Sequence, residues 1–98
     1  MTEEGLLKTR IRKFLTSKGI YWVSIQGGPG SKPGDPDMVI CLDGRFIALE
    51  MKAKNGRQSP IQAKREDEIK RSGGEYHLIR TIKEVEDIVG GENVTESE

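Results

Sequence analysis

Asp43-Gly44 stands between two apolar runs, Met-Val-Ile-Cys-Leu at 38–42 and Phe-Ile-Ala-Leu-Glu-Met at 46–51. An Asp-Gly pair tolerates positive φ at both central turn positions, so the arrangement predicts a tight two-residue β-hairpin. Both faces of that hairpin are apolar, which predicts a central position in a sheet with helices covering each side. The turn also sets the register. Leu42 faces Arg45 across it, and counting outward brings Asp37 directly opposite Glu50. Cβ atoms of such a pair lie about 4.5–5.5 Å apart on one face. Lys52, two residues past Glu50, shares the face because strand side chains alternate. Val39, Cys41, Phe46 and Ala48 are its companions, so the carboxylates sit at the rim of an apolar surface.

Around the hairpin the pattern gives α-β-β-β-α-β-α. Residues 3–18 read as a helix, with Thr2 as cap, Glu3 and Glu4 at its positive end, and Leu7, Ile11, Phe14 and Leu15 as its apolar stripe. Gly19 stops it. Residues 20–26 are strand-like, and the Gly/Pro-rich stretch 27–34 is a loop. Ser59-Pro60-Ile61-Gln62 opens a second helix as a capping box with proline at the first position. Its stripe is thin, Ile61 and Ile69 alone, so much of it faces solvent, substrate or a partner. Residues 75–80 form a short strand. Thr81 to Glu84 is another capping box, opening a helix that buries Ile82, Val85, Ile88 and Val89 and stops at Gly90-Gly91. Residues 1–90 are therefore expected to form a single domain, and 91–98 a flexible acidic tail.

Composition narrows the chemistry. The 98 residues carry 16 Lys+Arg and 16 Asp+Glu, one His and one Cys. A single Cys41 excludes an intrachain disulfide and a cysteine zinc site, and a lone His77 excludes histidine metal clusters. Nothing suggests an organic cofactor: Gly27 to Lys32 lacks the Gly-Lys-Ser/Thr of a phosphate loop. Cys41, inside a strand, reads as packing rather than a nucleophile. No run reaches the roughly 18 apolar residues of a membrane span, and the acidic N-terminus lacks an apolar signal, so the expected location is intracellular and cytoplasmic. The neutral total hides a split, +6 over residues 1–65 and −6 over 66–98, which predicts one basic surface and an acidic end.

The opposed pair Asp37 and Glu50 is the part that demands compensation. Like charges facing one another on a sheet are unfavourable, and a shared divalent cation relieves them. Oxygen donors without His or Cys favour Mg2+ or Mn2+ over zinc. Lys52 beside such an ion would orient or deprotonate an attacking water. The plainer reading is an Asp ending a loop and a Glu-x-Lys salt bridge at the rim; the placement of Pro36-Asp37 across the turn favours the metal site.

Gly34-Asp35-Pro36-Asp37 followed by Glu50-Met51-Lys52 resembles the PD-(D/E)xK nuclease superfamily. Glu4 on the first helix, the Gly-rich loop, Phe46 to Lys52, Ser59-Pro60-Ile61-Gln62 and Gly73-Gly74 narrow the resemblance to VRR-NUC domains of the stand-alone phage type, over nearly the whole chain. The Val-Arg-Arg triplet that names that family is replaced here by Leu78-Ile79-Arg80. The resemblance implies an α/β (α+β) restriction-endonuclease-like core with a mixed sheet flanked by helices. It implies a divalent-metal phosphodiesterase acting on structured DNA, and a location in the host cytoplasm if phage-encoded. Small members resemble archaeal Holliday-junction resolvases and work as homodimers.

On this resemblance Asp37, Glu50 and the Met51 carbonyl bind the metal, Lys52 activates the nucleophile, and Glu4 reaches the metal directly or through water. Glu3 and Glu4 are equally suited to a helix N-terminus; the family register selects Glu4. Gln62 is placed near the metal, although Ser59-x-x-Gln62 is also a cap, and both roles stand open. Lys32, Lys54, Arg57 and Lys64 flank the expected site as phosphate contacts or as solvated surface charges. The expected activity is thus a Mg2+- or Mn2+-dependent DNA endonuclease on branched DNA. Its alternatives are a nuclease for flap, single-stranded or nicked DNA, and a non-catalytic DNA-binding module.

Overall fold

The computed structural model describes residues 1–25 and 27–96, with side chains placed up to Gly90. Its elements run α1 (Glu3–Ser17), β1 (Tyr21–Ser24), β2 (Met38–Leu42), β3 (Arg45–Met51), α2 (Pro60–Arg71), β4 (Glu75–Ile79) and α3 (Ile82–Glu96). The order is the one the pattern predicts. The four strands form one mixed sheet in the order β1-β2-β3-β4, antiparallel except for the parallel pair β3 and β4 joined through α2.

The hairpin forms in the expected register, with Met38 opposite Leu49 and Leu42 opposite Arg45. Asp43 and Gly44 take φ of 52° and 78°, the two positive values a primed two-residue turn needs. Alternation then sends Met38, Ile40, Ile47, Leu49 and Met51 to one face. There they join Leu7, Ile11 and Leu15 of α1, Ile79 of β4 and Val85 and Val89 of α3 in a continuous buried core. The three expected caps are present: Thr2 Oγ1 accepts from Gly5 N, Ser59 with Gln62 closes a reciprocal box, and Thr81 with Glu84 closes another. Among the described residues, no helix is long and apolar enough to cross a membrane.

Three expectations change. The second face of the sheet is only half covered: α2 lies against the β4 side and buries none of its own residues fully, while Tyr21 is 69% and Phe46 51% exposed. A polar twelve-residue helix has too little apolar surface to roof four strands. Cys41 lies on this open half and is itself exposed, so it is not a packing residue. Finally, α3 does not stop at Gly90-Gly91 but runs to Glu96. Glycine in a helix interior costs about 1 kcal/mol and does not block the ladder as proline does. The side chains of the expected acidic tail, 91–98, lie outside the described residues.

The loop between β1 and β2 is pinned by a close approach. Gly34 has φ of +85°, and a Cβ there would lie 2.7 Å from the Ile61 carbonyl oxygen at the start of α2. Gly34→Ala therefore meets both left-handed strain and a backbone clash. It is expected to cost at least about 1 kcal/mol, roughly 4–8 °C in a domain of this size, by thermal unfolding followed by circular dichroism. An unchanged midpoint would mean that the loop does not sit against α2.

Candidate active site

Four chain segments meet at the end of the hairpin away from its turn: the start of α1, the entry to β2, the exit of β3 and the start of α2. Asp37 enters β2 one residue before its ladder with β3 begins, and its carbonyl accepts from Ile25 N at 2.9 Å, which extends the β1 pairing to it. Its Oδ2 accepts from Met51 N at 2.8 Å, so the carboxylate caps the exit of β3. Glu50 projects from β3 on the same face. Its Oε2 accepts from Gln62 Nε2 at 3.0 Å and lies 3.8 Å from Lys52 Nζ. Gln62 thus does two jobs at once, since its Oε1 accepts from Ser59 N at 2.9 Å to close the cap.

Burial sets the electrostatics. Among the described residues Asp37 (6% exposed) and Glu50 (3%) are the two charged side chains that are buried. Burial, first, and the neighbouring Asp37 charge, second, push the Glu50 carboxyl up to about 7, against the partial relief of Lys52 and Lys8. Glu50 Oε1 is buried with no hydrogen-bond partner. A carboxylate oxygen left bare in a dry site is costly unless something positive completes it.

The remaining sequence candidates fall as follows. Glu4 Oε2 accepts from Ala53 N at 3.4 Å and Glu3 Oε2 from Lys54 N at 3.0 Å, so both acids of α1 hold the segment leaving β3. Glu4 is near enough for its charge to raise the Glu50 carboxyl further. It does not make a cage with the other two: among the described residues no three His, Cys, Asp or Glu side chains converge to hold an ion. Lys54 and Arg57 are exposed in the loop after β3, and Lys64 is exposed on α2. Lys32 lies elsewhere, lining a cavity of about 660 Å3 with Arg45, Phe46 and Arg65, which Asp37 and Glu50 do not border.

Two residues to which the sequence pattern gives no role belong to this neighbourhood. Lys8 Nζ sits 3.1 Å from Asp37 Oδ1. Its spacing of one helical turn from Glu4 puts the two on one face of α1, but no sequence signal pairs it with Asp37. Tyr76 on β4, paired with Ala48, is buried on the Glu50 face, and that burial pushes its hydroxyl up to about 12. Its alternation with the β3 residues becomes visible only once the parallel pairing is known.

A scan against protein-family models and a search of curated protein sequences both return no match. Fold comparison is different. A solved structure described as a "VRR_NUC domain" superposes with a TM-score of 0.73 at 20% identity, covering 92% of this chain and 97% of its own. A second, described as a "VRR_NUC domain protein", gives 0.72 at 18%, covering 93% and 88%. The chain has the VRR-NUC fold. Within this VRR-NUC fold the last strand, β4, ends at Ile79, and Arg80, the residue after it, acts as a clamp. Its Nη1 donates to the carbonyls of Gly56 at 2.8 Å, Ala53 at 2.9 Å and Lys54 at 3.4 Å. The guanidinium therefore holds the loop that leaves Lys52, from the strand next to it.

Proposed function

We propose that this domain is a Mg2+- or Mn2+-dependent endonuclease that hydrolyses phosphodiester bonds in DNA, with branched DNA as its substrate and a homodimer as its working form. The observation that carries the reading is the buried pair Asp37 and Glu50, with one Glu50 oxygen unpartnered. The residues present fit a hard divalent cation. Asp37, Glu50 and the Met51 carbonyl offer oxygen donors only, and magnesium usually retains several waters rather than requiring an all-protein cage. The likeness in fold to two solved structures described as VRR_NUC domains supports the same reading.

A divalent ion bound there supplies Lewis acidity at the phosphate and a water of lowered pKa. The chain's own residues do the rest. The Met51 N–H fixes the Asp37 carboxylate, and Gln62 fixes that of Glu50, so both oxygens are pre-aimed before substrate arrives. Lys52 Nζ lies beside Glu50 and offers its charge to the attacking water or to the negative charge that develops on the phosphate. Glu4, whose Oε2 accepts from Ala53 N at 3.4 Å, would reach the cation through water at the outer edge of the site. Lys54, Arg57 and Lys64 are the nearby exposed cations for the DNA backbone, with Lys32 a more distant one. A second copy is the occupant this reading assigns to the open half of the sheet around Tyr21 and Phe46, since cutting both strands of a junction needs two sites.

Acid should switch the reaction off. Glu50 must be ionised to bind a cation, and in the cation-free protein its carboxyl is pushed up to about 7. At cation concentrations too low to saturate the site, cleavage is therefore expected to rise with pH through that region. In the cation-free protein the protonated form favours the fold, an effect fully present below the ordinary value of 4.5 and lost as pH rises through about 7.

The test is cleavage of a labelled four-way junction beside flap, nicked, single-stranded and linear duplex DNA, between pH 6 and 8, with Mg2+, Mn2+ or EDTA. Paired symmetric cuts in the junction, absent in EDTA, are the expected result. Cuts confined to another structure would keep the site and replace the substrate. Binding without any metal-dependent cut would make the domain a DNA-binding module.

A further inference from the structure

Each buried carboxylate has its own lysine. Glu50 has Lys52, the residue just past the end of its own strand, a pairing the Glu-x-Lys spacing already implies. Asp37 has Lys8, which crosses from the second turn of α1, and its ammonium lies closer, at 3.1 Å against 3.8 Å. The two oxygens of Asp37 are not equivalent. Oδ2 is committed to the Met51 N–H, while Oδ1 is the atom Lys8 holds. A cation binding Asp37 through Oδ1, the oxygen the backbone leaves open, therefore meets that ammonium, 3.1 Å from the same oxygen, and competes with it. Lys8 is able to yield: its side chain is 26% exposed, against 5% for Asp37, and its stem is a flexible four-carbon chain.

We infer that Lys8 is the resident counter-ion of the site, neutralising Asp37 while no divalent cation is bound and released when one arrives. This rests on the metal-binding reading above and goes beyond it by giving Lys8 a role opposite to that of a ligand. Two opposed carboxylates without a cation would repel each other across the hairpin, and the ammonium offsets that repulsion. The same ammonium competes with an incoming ion, because two cations within a few ångströms repel strongly in a partly desolvated site. Lys8 thus stabilises the empty site and weakens its grip on metal.

The experiment is Mn2+ titration of the full chain without DNA, by electron paramagnetic resonance of free Mn2+, for wild type, Lys8→Gln and Lys8→Arg. Thermal unfolding of each, in EDTA and in saturating Mn2+, runs alongside. Lys8→Gln is expected to bind Mn2+ on the order of tenfold more tightly than wild type. It should also melt at a lower temperature in EDTA, and Mn2+ should close the gap. Lys8→Arg, which keeps the charge, should stay near wild type in both. A Lys8→Gln protein that melts lower but binds Mn2+ no better, or more weakly, has lost a structural contact only, and the counter-ion role is overturned while the metal site stands. A wild type that binds no Mn2+ at millimolar concentration overturns the metal site and the counter-ion role together.

Discussion

Asp37→Asn is expected to reduce metal-dependent cleavage by at least about a thousandfold while leaving a folded protein that still binds DNA. The substitution is nearly isosteric. An asparagine oxygen still accepts the Met51 N–H that Asp37 Oδ2 receives at 2.8 Å, so the exit of β3 keeps its cap. What is lost is charge. One of the two anionic donors disappears, Lys8 loses its partner, and Glu50 is relieved of the second-largest influence on its carboxyl. Affinity for DNA should hold or rise, because one negative charge has left the surface that faces phosphates. Single-turnover rates on whichever DNA the wild type cuts, paired with gel-shift binding, separate the two effects. Retention of a tenth of the wild-type rate would remove Asp37 from the chemistry.

Leu49→Ala is expected to be the most damaging single truncation for stability, at about 3 kcal/mol, from lost transfer energy and the cavity left behind. Leu49 is completely buried, lies in one of the two inner strands, and is flanked across the sheet by Met38 and His77. Domains of this kind have about 5–15 kcal/mol in total, and the midpoint should fall by more than about 12 °C. Its sequence neighbours Ala48 and Glu50 point to the opposite face, so a cold assay, well below the new midpoint, should still find cleavage. A shift of only a few degrees would mean the core relaxes around the missing side chain.

Legibility in the sequence followed the range of the interaction. The hairpin could be read because an Asp-Gly turn determines register locally, and register alone is enough to put Asp37, Glu50 and Lys52 on one face. The capping boxes could be read for the same reason, since each involves residues three apart. Lys8 could not, because its reach to Asp37 depends on how α1 lies across the sheet. The choice between Glu3 and Glu4 shows the same limit: both touch backbone beyond β3, at Lys54 and Ala53, and helix pattern alone ranks them equally. The open half of the second face was missed because apolar alternation states which residues prefer cover, not whether a helix of the right size exists to provide it. Arg80 was visible only as a poor match to a triplet; its hold on three carbonyls needs the parallel pairing of β3 and β4.

The turn at Asp43-Gly44 lies at the far end of the hairpin from the carboxylates, yet it decides whether they meet. Shifting a strand by one residue exchanges its two faces. In a molecule so misaligned, Glu50 would point into the oily interior and Met51 toward the substrate. Such a molecule would be inert rather than weakened, and would also bury a charge that the core cannot tolerate. The hairpin therefore proofreads the site: a slip of β3 is disfavoured by Glu50, the same acid that would hold the cation, and in the proposed enzyme the active fraction would count the molecules that zipped correctly.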